Sequence, residues 1–222
     1  MKTQDHSITV TAYRWVPPEV RGLVRDLRVR WALEEAGLPY TVKFVGREEK
    51  DGAEYRQWQP FGQVPAYEQD GLRLFESGAI VLHIAEQTET LMPKDPAGRA
   101  RVQTWLIAAL DSIEPAVQQL GAIDLFHSDA AWAKERRPQV VEAIKQRLAA
   151  LAAWIGDREY LEERFTAGDL MMACVLRNLR QTDLIAQFPS VDAYFKRCES
   201  RPAFQKALRD QLADFVDQPL AA

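Results

Sequence analysis

Residues 59–80 read Gln59-Pro60-Phe61-Gly62-Gln63-Val64-Pro65-Ala66-Tyr67-Glu68-Gln69-Asp70-Gly71-Leu72-Arg73-Leu74-Phe75-Glu76-Ser77-Gly78-Ala79-Ile80. Two kinds of pattern meet in this stretch. Up to Phe75 the chain reads as a hairpin. A first arm runs through Val64, Pro65, Ala66 and Tyr67, Glu68 to Gly71 supplies the turn, and Leu72 to Phe75 is the returning strand. From Ser77 the spacing becomes helical: Ile80, Val81, Ile84 and Ala85 share one face, which predicts a helix over Ser77–Glu86 with Ser77 able to cap it.

Upstream, Ile8, Val10 and Ala12 alternate with Thr9, Thr11 and Tyr13, the period of a strand. Val16-Pro17-Pro18 interrupts regular structure. Val20, Leu23, Val24, Leu27 and Trp31 then fall on one helical face, which predicts a helix from Val20 that Gly37 and Pro39 end. Tyr40 to Val45 reads as a second strand, so the first unit is strand, helix, strand, a pattern that favours parallel strands and a right-handed crossover. The charged stretch from Gly46 to Trp58 predicts a loop with a short irregular helix.

Downstream, Thr90-Leu91-Met92-Pro93-Lys94-Asp95-Pro96 holds two prolines and reads as a linker. Beyond it every periodic segment is helical: Val102 to Ile113, Val140 to Ile155, the very apolar Leu170 to Leu179, and shorter helices around Val191–Cys198 and Ala203–Phe215. The expected organisation is an α/β domain over 1–87, a linker over 88–96 and an all-helical domain over 97–222.

The chain of 222 residues is 47% hydrophobic and 27% charged, enough for a packed core. Its net charge of -4 gives no long-range attraction for nucleic acid. Arg21, Arg25, Arg28 and Arg30 recur at helical spacing and read as a solvated face. The polar start from Met1 to Ser7 lacks the apolar run of a signal peptide. No stretch is long and apolar enough for a membrane span, and a cytoplasmic location is expected. The two cysteines, Cys174 and Cys198, are far apart and read as small core residues rather than a metal or dithiol site. His83 and His127 have no metal-like companions, and neither they nor His6 are given a role.

With these elements in order, the chain resembles the cytosolic glutathione transferases over nearly its whole length. Arg28-Val29-Arg30-Trp31-Ala32-Leu33-Glu34-Glu35-Ala36-Gly37-Leu38-Pro39-Tyr40 is similar to the family's first helix running into its second strand. Gly62-Gln63-Val64-Pro65-Ala66 is similar to its cis-proline turn, and Phe75-Glu76-Ser77-Gly78-Ala79-Ile80 to its Glu-Ser clamp. Leu91-Met92-Pro93-Lys94-Asp95-Pro96 through Trp105, Phe165-Thr166-Ala167-Gly168-Asp169-Leu170 and Ser200-Arg201-Pro202-Ala203-Phe204 are similar to later landmarks of the helical domain. The resemblance implies a thioredoxin-like α/β N-terminal domain followed by an all-α C-terminal domain, and a homodimer.

It also implies a glutathione site. A cis Val64–Pro65 bond leaves the backbone of Val64 free to pair with the cysteinyl part of glutathione, although most X-Pro bonds are trans. Ser77, at a helix N-terminus, suits the γ-glutamyl carboxylate, and Glu76 suits its ammonium group. The same two residues also read as an ordinary cap with an acidic neighbour. Gln63 and Gln59 are further polar contacts, and Phe61 reads as packing. Thr166 and Asp169 have capping-box spacing and read as structural.

The thiol is where the chain departs from the family. The place at which many relatives carry Ser or Cys falls around Leu23, and the segment Arg14 to Gly22 is longer than usual. Tyr13 is then the candidate to activate the thiol through its hydroxyl, against the alternative of a strand tyrosine packed on the core. Trp15 and Trp105 are candidates to wall an apolar co-substrate pocket, against plain core packing for Trp105. Three functions stay open: transfer of glutathione to an electrophilic, hydrophobic small molecule; glutathione-dependent disulfide or peroxide reduction; and a non-catalytic binding module. None calls for a metal.

Overall fold

The structure is a computed structural model that describes residues 7–46 and 48–217. His6 and most of the polar start lie outside the described residues. The chain packs as two units: residues 7–91 with 202–217, and Met92–Arg201.

The first unit is built on four strands, β1 (Ile8–Ala12), β2 (Tyr40–Phe44), β3 (Ala66–Gln69) and β4 (Leu72–Phe75), in the order β2-β1-β3-β4. β1 and β2 are parallel, joined through helix α1 (Asp26–Ala36); β3 runs antiparallel to both β1 and β4. The hairpin turn is only Asp70-Gly71, both at positive φ (52° and 84°), the two-residue turn whose twist matches that of the strands. Helix α2 (Ala53–Arg56) is the short helix expected between β2 and β3, and α3 (Ser77–Ala85) follows β4.

Two expectations need correction here. Helix α1 begins at Asp26, not Val20, because Gly22 sits at φ 75° and Arg21 at ψ 134°, backbone that no α-helix accommodates. It ends as expected, on Gly37 at φ 67°. The arginine stripe is not a solvated face: Arg28 and Arg30 are only 3% and 2% exposed. Arg30 donates to Asp26 at 2.8 Å and pairs with Asp214 at 2.7 Å, which is what allows a guanidinium to be buried.

Asp214 belongs to the last helix, α9 (Pro202–Asp214), and α9 packs on α1. The rings of Trp31 and Phe204 stand 4.7 Å apart, edge to face, and Gln211 donates to Asp26 at 2.7 Å. The helical run from residue 97 to the end is therefore divided, with α9 in the first unit. Periodicity shows that a helix has an apolar face but not which element covers it.

The second unit contains α4 (Pro96–Ala108), a wider π-type turn at Ala109–Ile113, α5 (Glu114–Phe126), α6 (Ala131–Ile155), α7 (Ala167–Leu176) and α8 (Pro189–Glu199). Every residue of α7 is buried, and its start is the reciprocal capping box of Thr166 and Asp169. Cys174 and Cys198 are both buried in this unit and are not joined in a disulfide. Among the described residues no helix is long and apolar enough to cross a membrane.

Candidate functional site

Strand register assembles the site at one end of the sheet. Ala66 pairs with Phe75, so Pro65 and Glu76 both lie just beyond the same end of the β3–β4 ladder. Val10 pairs with Tyr67, which carries the end of β1, and with it Tyr13, to the same edge. Five of the residues singled out in the sequence, Gln63, Val64, Pro65, Glu76 and Ser77, flank this register point.

The Val64–Pro65 bond is cis. Among the described residues, no backbone group pairs with the N–H or C=O of Val64. The loop around it is held by a relay of hydrogen bonds. Ala66 N–H donates to Thr11 Oγ1 (2.7 Å), the Thr11 and Tyr55 hydroxyls are 2.8 Å apart, and Tyr55 donates to the Gln63 carbonyl (2.7 Å). The two ends fix the direction, so Thr11 donates to Tyr55. The relay grips the chain on both sides of Val64–Pro65 and leaves the Val64 N–H and C=O without a backbone partner, although Val64 itself is buried. Gln59 is 2% exposed and accepts from Phe61 N–H at 2.7 Å, so it braces the loop from inside. Gln63 is exposed, and the Phe61 ring meets that of Phe75 at 6.0 Å. Gly62 sits at φ 63° with no room for a Cβ, which would meet the Lys50 carbonyl at 2.9 Å.

Glu76 has φ 67° and ψ 112°, a conformation that side chains other than glycine rarely adopt. It is the cap residue of α3, exposed, with no side-chain cap bond; Ser77 is the first helical residue and not the cap. The first backbone bond of the helix runs from Ile80 N–H to Glu76 O, which leaves the N–H groups at the helix start available, as an anion site requires. Ser77 is 5% exposed, and its Oγ accepts from Arg28 Nη1 at 3.2 Å.

Tyr13 is half-buried, its ring against the cluster of Val45, Tyr55, Trp58, Val64 and Ala66. Its hydroxyl makes no hydrogen bond among the described residues. Burial, and then the Asp51 carboxylate, push its pKa up from the ordinary phenol value. Leu23 offers only a hydrocarbon side chain and is half-buried. Trp15 is half-buried in the first unit. Trp105 belongs to the second, where its ring lies 5.1 Å from that of Trp154 and its Nε1 donates to Glu162 at 3.0 Å.

Thr11, Tyr55 and Arg28 are the residues that sequence reasoning missed. In the sequence Thr11 is a polar position in an alternating strand, Tyr55 stands in an unpatterned charged stretch, and Arg28 belongs to a stripe whose spacing reads as a solvated face. Only the alternation at Thr11 carried a usable signal, since it pointed that side chain away from its apolar neighbours.

Two family models match the chain: the glutathione S-transferase N-terminal domain over residues 19–86 and the glutathione S-transferase C-terminal domain over residues 112–202. A disulfide-bond oxidoreductase of Escherichia coli, YfcG, is 30% identical over 203 residues, covering 82% of this chain and 89% of the relative. A glutathione S-transferase of Hyoscyamus muticus is 29% identical over 201 residues, covering 82% and 92%. Among solved structures, a glutathione transferase of Burkholderia graminis with two glutathione molecules bound per subunit superposes with a TM-score of 0.79. It is 28% identical, and the match covers 91% of this chain and 88% of that one.

Proposed function

The chain belongs to the glutathione S-transferase family, and we propose that it activates the thiol of glutathione for attack on an electrophilic small molecule. The carrying observation is the convergence, at one sheet end, of a Val64 backbone without a backbone partner with Glu76 and a buried Ser77 at a helix N-terminus. These groups complement the cysteinyl backbone, the γ-glutamyl ammonium and the γ-glutamyl carboxylate respectively. Gln63, exposed beside Val64, is within the same group of contacts.

In this reading Tyr13 is the thiol-activating residue. A hydrogen-bond donor facing the sulfur favours thiolate over thiol, whose ordinary pKa is about 8.5. Tyr13 suits the task because a phenol, with an ordinary pKa of about 10, carries its proton near neutral pH and so has an O–H to donate. The thiolate then attacks the electrophilic carbon, the carbon–sulfur bond forms, and the leaving group departs with its electron pair. Trp15, half-buried in the first unit, is assigned to the wall that takes a hydrophobic co-substrate. The protein is assigned to the cytoplasm, as a homodimer.

A second reading is favoured by one observation, the match to a relative named as a disulfide-bond oxidoreductase. There the thiolate attacks a disulfide sulfur and releases one thiol; a second glutathione resolves the mixed disulfide to glutathione disulfide. No protein cysteine is required, and Cys174 and Cys198 are both buried. Parallel assays with an activated chloroarene and with a small disulfide separate the readings. Transfer to the arene supports the first, reduction alone supports the second, and glutathione binding with neither turnover makes the fold a binding module.

A further inference from the structure

Arg28 lies in the first turn of α1, is almost wholly buried, and donates from Nη1 to Ser77 Oγ. A guanidinium carries donors only, so in this pair the serine oxygen has to accept. The O–H of Ser77 is then left to donate, and among the described residues no group accepts it. Ser77 is itself almost buried, at the start of a nine-residue helix whose cap supplies no side-chain bond. A buried guanidinium donor, a hydroxyl proton with no acceptor among the described residues and the N–H groups of the helix start thus meet at Ser77.

We infer that Arg28 is a positioning residue that turns Ser77 from a hydroxyl indifferent to donors and acceptors into a dedicated donor for an anionic ligand group. On the glutathione reading above, on which this depends, that group is the γ-glutamyl carboxylate.

The test is calorimetric titration of the full chain, Arg28→Gln and Arg28→Lys with two peptides. One is glutathione. The other is γ-aminobutyryl-cysteinylglycine, which keeps the amine and thiol but lacks the carboxylate in question. Wild type is expected to prefer glutathione by roughly tenfold, the scale of a charge-assisted hydrogen bond. Arg28→Gln is expected to remove most of that preference, with little change in affinity for the analogue. Arg28→Lys, which keeps the charge without the planar fork, is expected to retain part of it. Equal loss for both peptides in either variant would reduce Arg28 to packing and overturn the assignment. If Arg28→Gln does not fold, Arg28→Lys decides on the same criterion. A wild type that binds both peptides equally overturns the role of Arg28 alone, whereas one that binds neither removes the glutathione reading as well.

Discussion

Tyr55 donates a 2.7 Å hydrogen bond to the carbonyl of Gln63, and so fixes from helix α2 the residue that precedes Val64. Its hydroxyl also takes the proton of Thr11, whose oxygen accepts from Ala66 N–H. Tyr55→Phe keeps the ring in its cluster but breaks the relay, leaving Thr11 without its acceptor and the Gln63 carbonyl without its donor. The expected cost is about 1–3 kcal/mol of stability, typical of stranding buried polar groups. Glutathione affinity is expected to fall as well, because the Val64 backbone loses its fixed position. Denaturant unfolding and calorimetry on this variant check both.

Glu76 combines a strained backbone with the carboxylate proposed to meet the γ-glutamyl ammonium group. A glycine relieves φ 67° and ψ 112°, whereas an alanine does not. Thermal unfolding is therefore expected to rank Glu76→Gly above Glu76→Ala, the reverse of the usual order at helical positions. Both variants are expected to lose glutathione affinity to a similar extent, since both remove the partner of the ammonium group. A glycine variant less stable than the alanine one would show that the backbone at 76 is not strained.

Tyr13→Phe removes one hydroxyl from the site and leaves the ring packed. If this hydroxyl stabilises the thiolate, kcat/KM falls by roughly two orders of magnitude, on the scale of losing a single anion-stabilising donor. The alkaline-rising limb of the pH–rate profile also moves toward the free thiol value of about 8.5. A variant with wild-type rate and profile would transfer the role elsewhere, for example to a backbone N–H.

The Asp26 carboxyl, buried between α1 and α9, is pushed up to about 6 by desolvation, against the lowering effects of Arg30 and Gln211. Its unfolded value is about 3.9, so the folded state holds this proton more tightly. The resulting stabilisation is fully present below about pH 4 and is lost as pH rises through about 6. Between those limits this group lowers stability by up to roughly 1.4 kcal/mol per pH unit. Asp26→Asn cannot accept from both Arg30 and Gln211, so it is less stable throughout, but its unfolding free energy falls less steeply over this window. Melts at a series of pH values check the difference in slope; identical slopes would contradict it.

The elements and their order were legible because apolar spacing is a local property: Ile8 to Ala12, Tyr40 to Phe44 and the β3–β4 hairpin each announce themselves within a few residues. The cis-proline turn and Glu76-Ser77 were legible because they are contiguous motifs. What the sequence could not display was pairing at a distance. Thr11 to Tyr55 spans 44 positions, Arg28 to Ser77 spans 49, and Gln211 to Asp26 spans 185. The arginine stripe misled because helical spacing looks the same whether the face meets water or a buried carboxylate. The start of α1 misled because hydrophobic spacing continued through Gly22, where the backbone leaves the helix.

The most direct test of the glutathione site is a calorimetric titration of glutathione into wild type and into the double variant Glu76→Ala plus Ser77→Ala, with thermal melts confirming that both are folded. Saturable binding to wild type that collapses in the folded double variant is the predicted result. No binding to wild type, or undiminished binding to the double variant, would contradict the account.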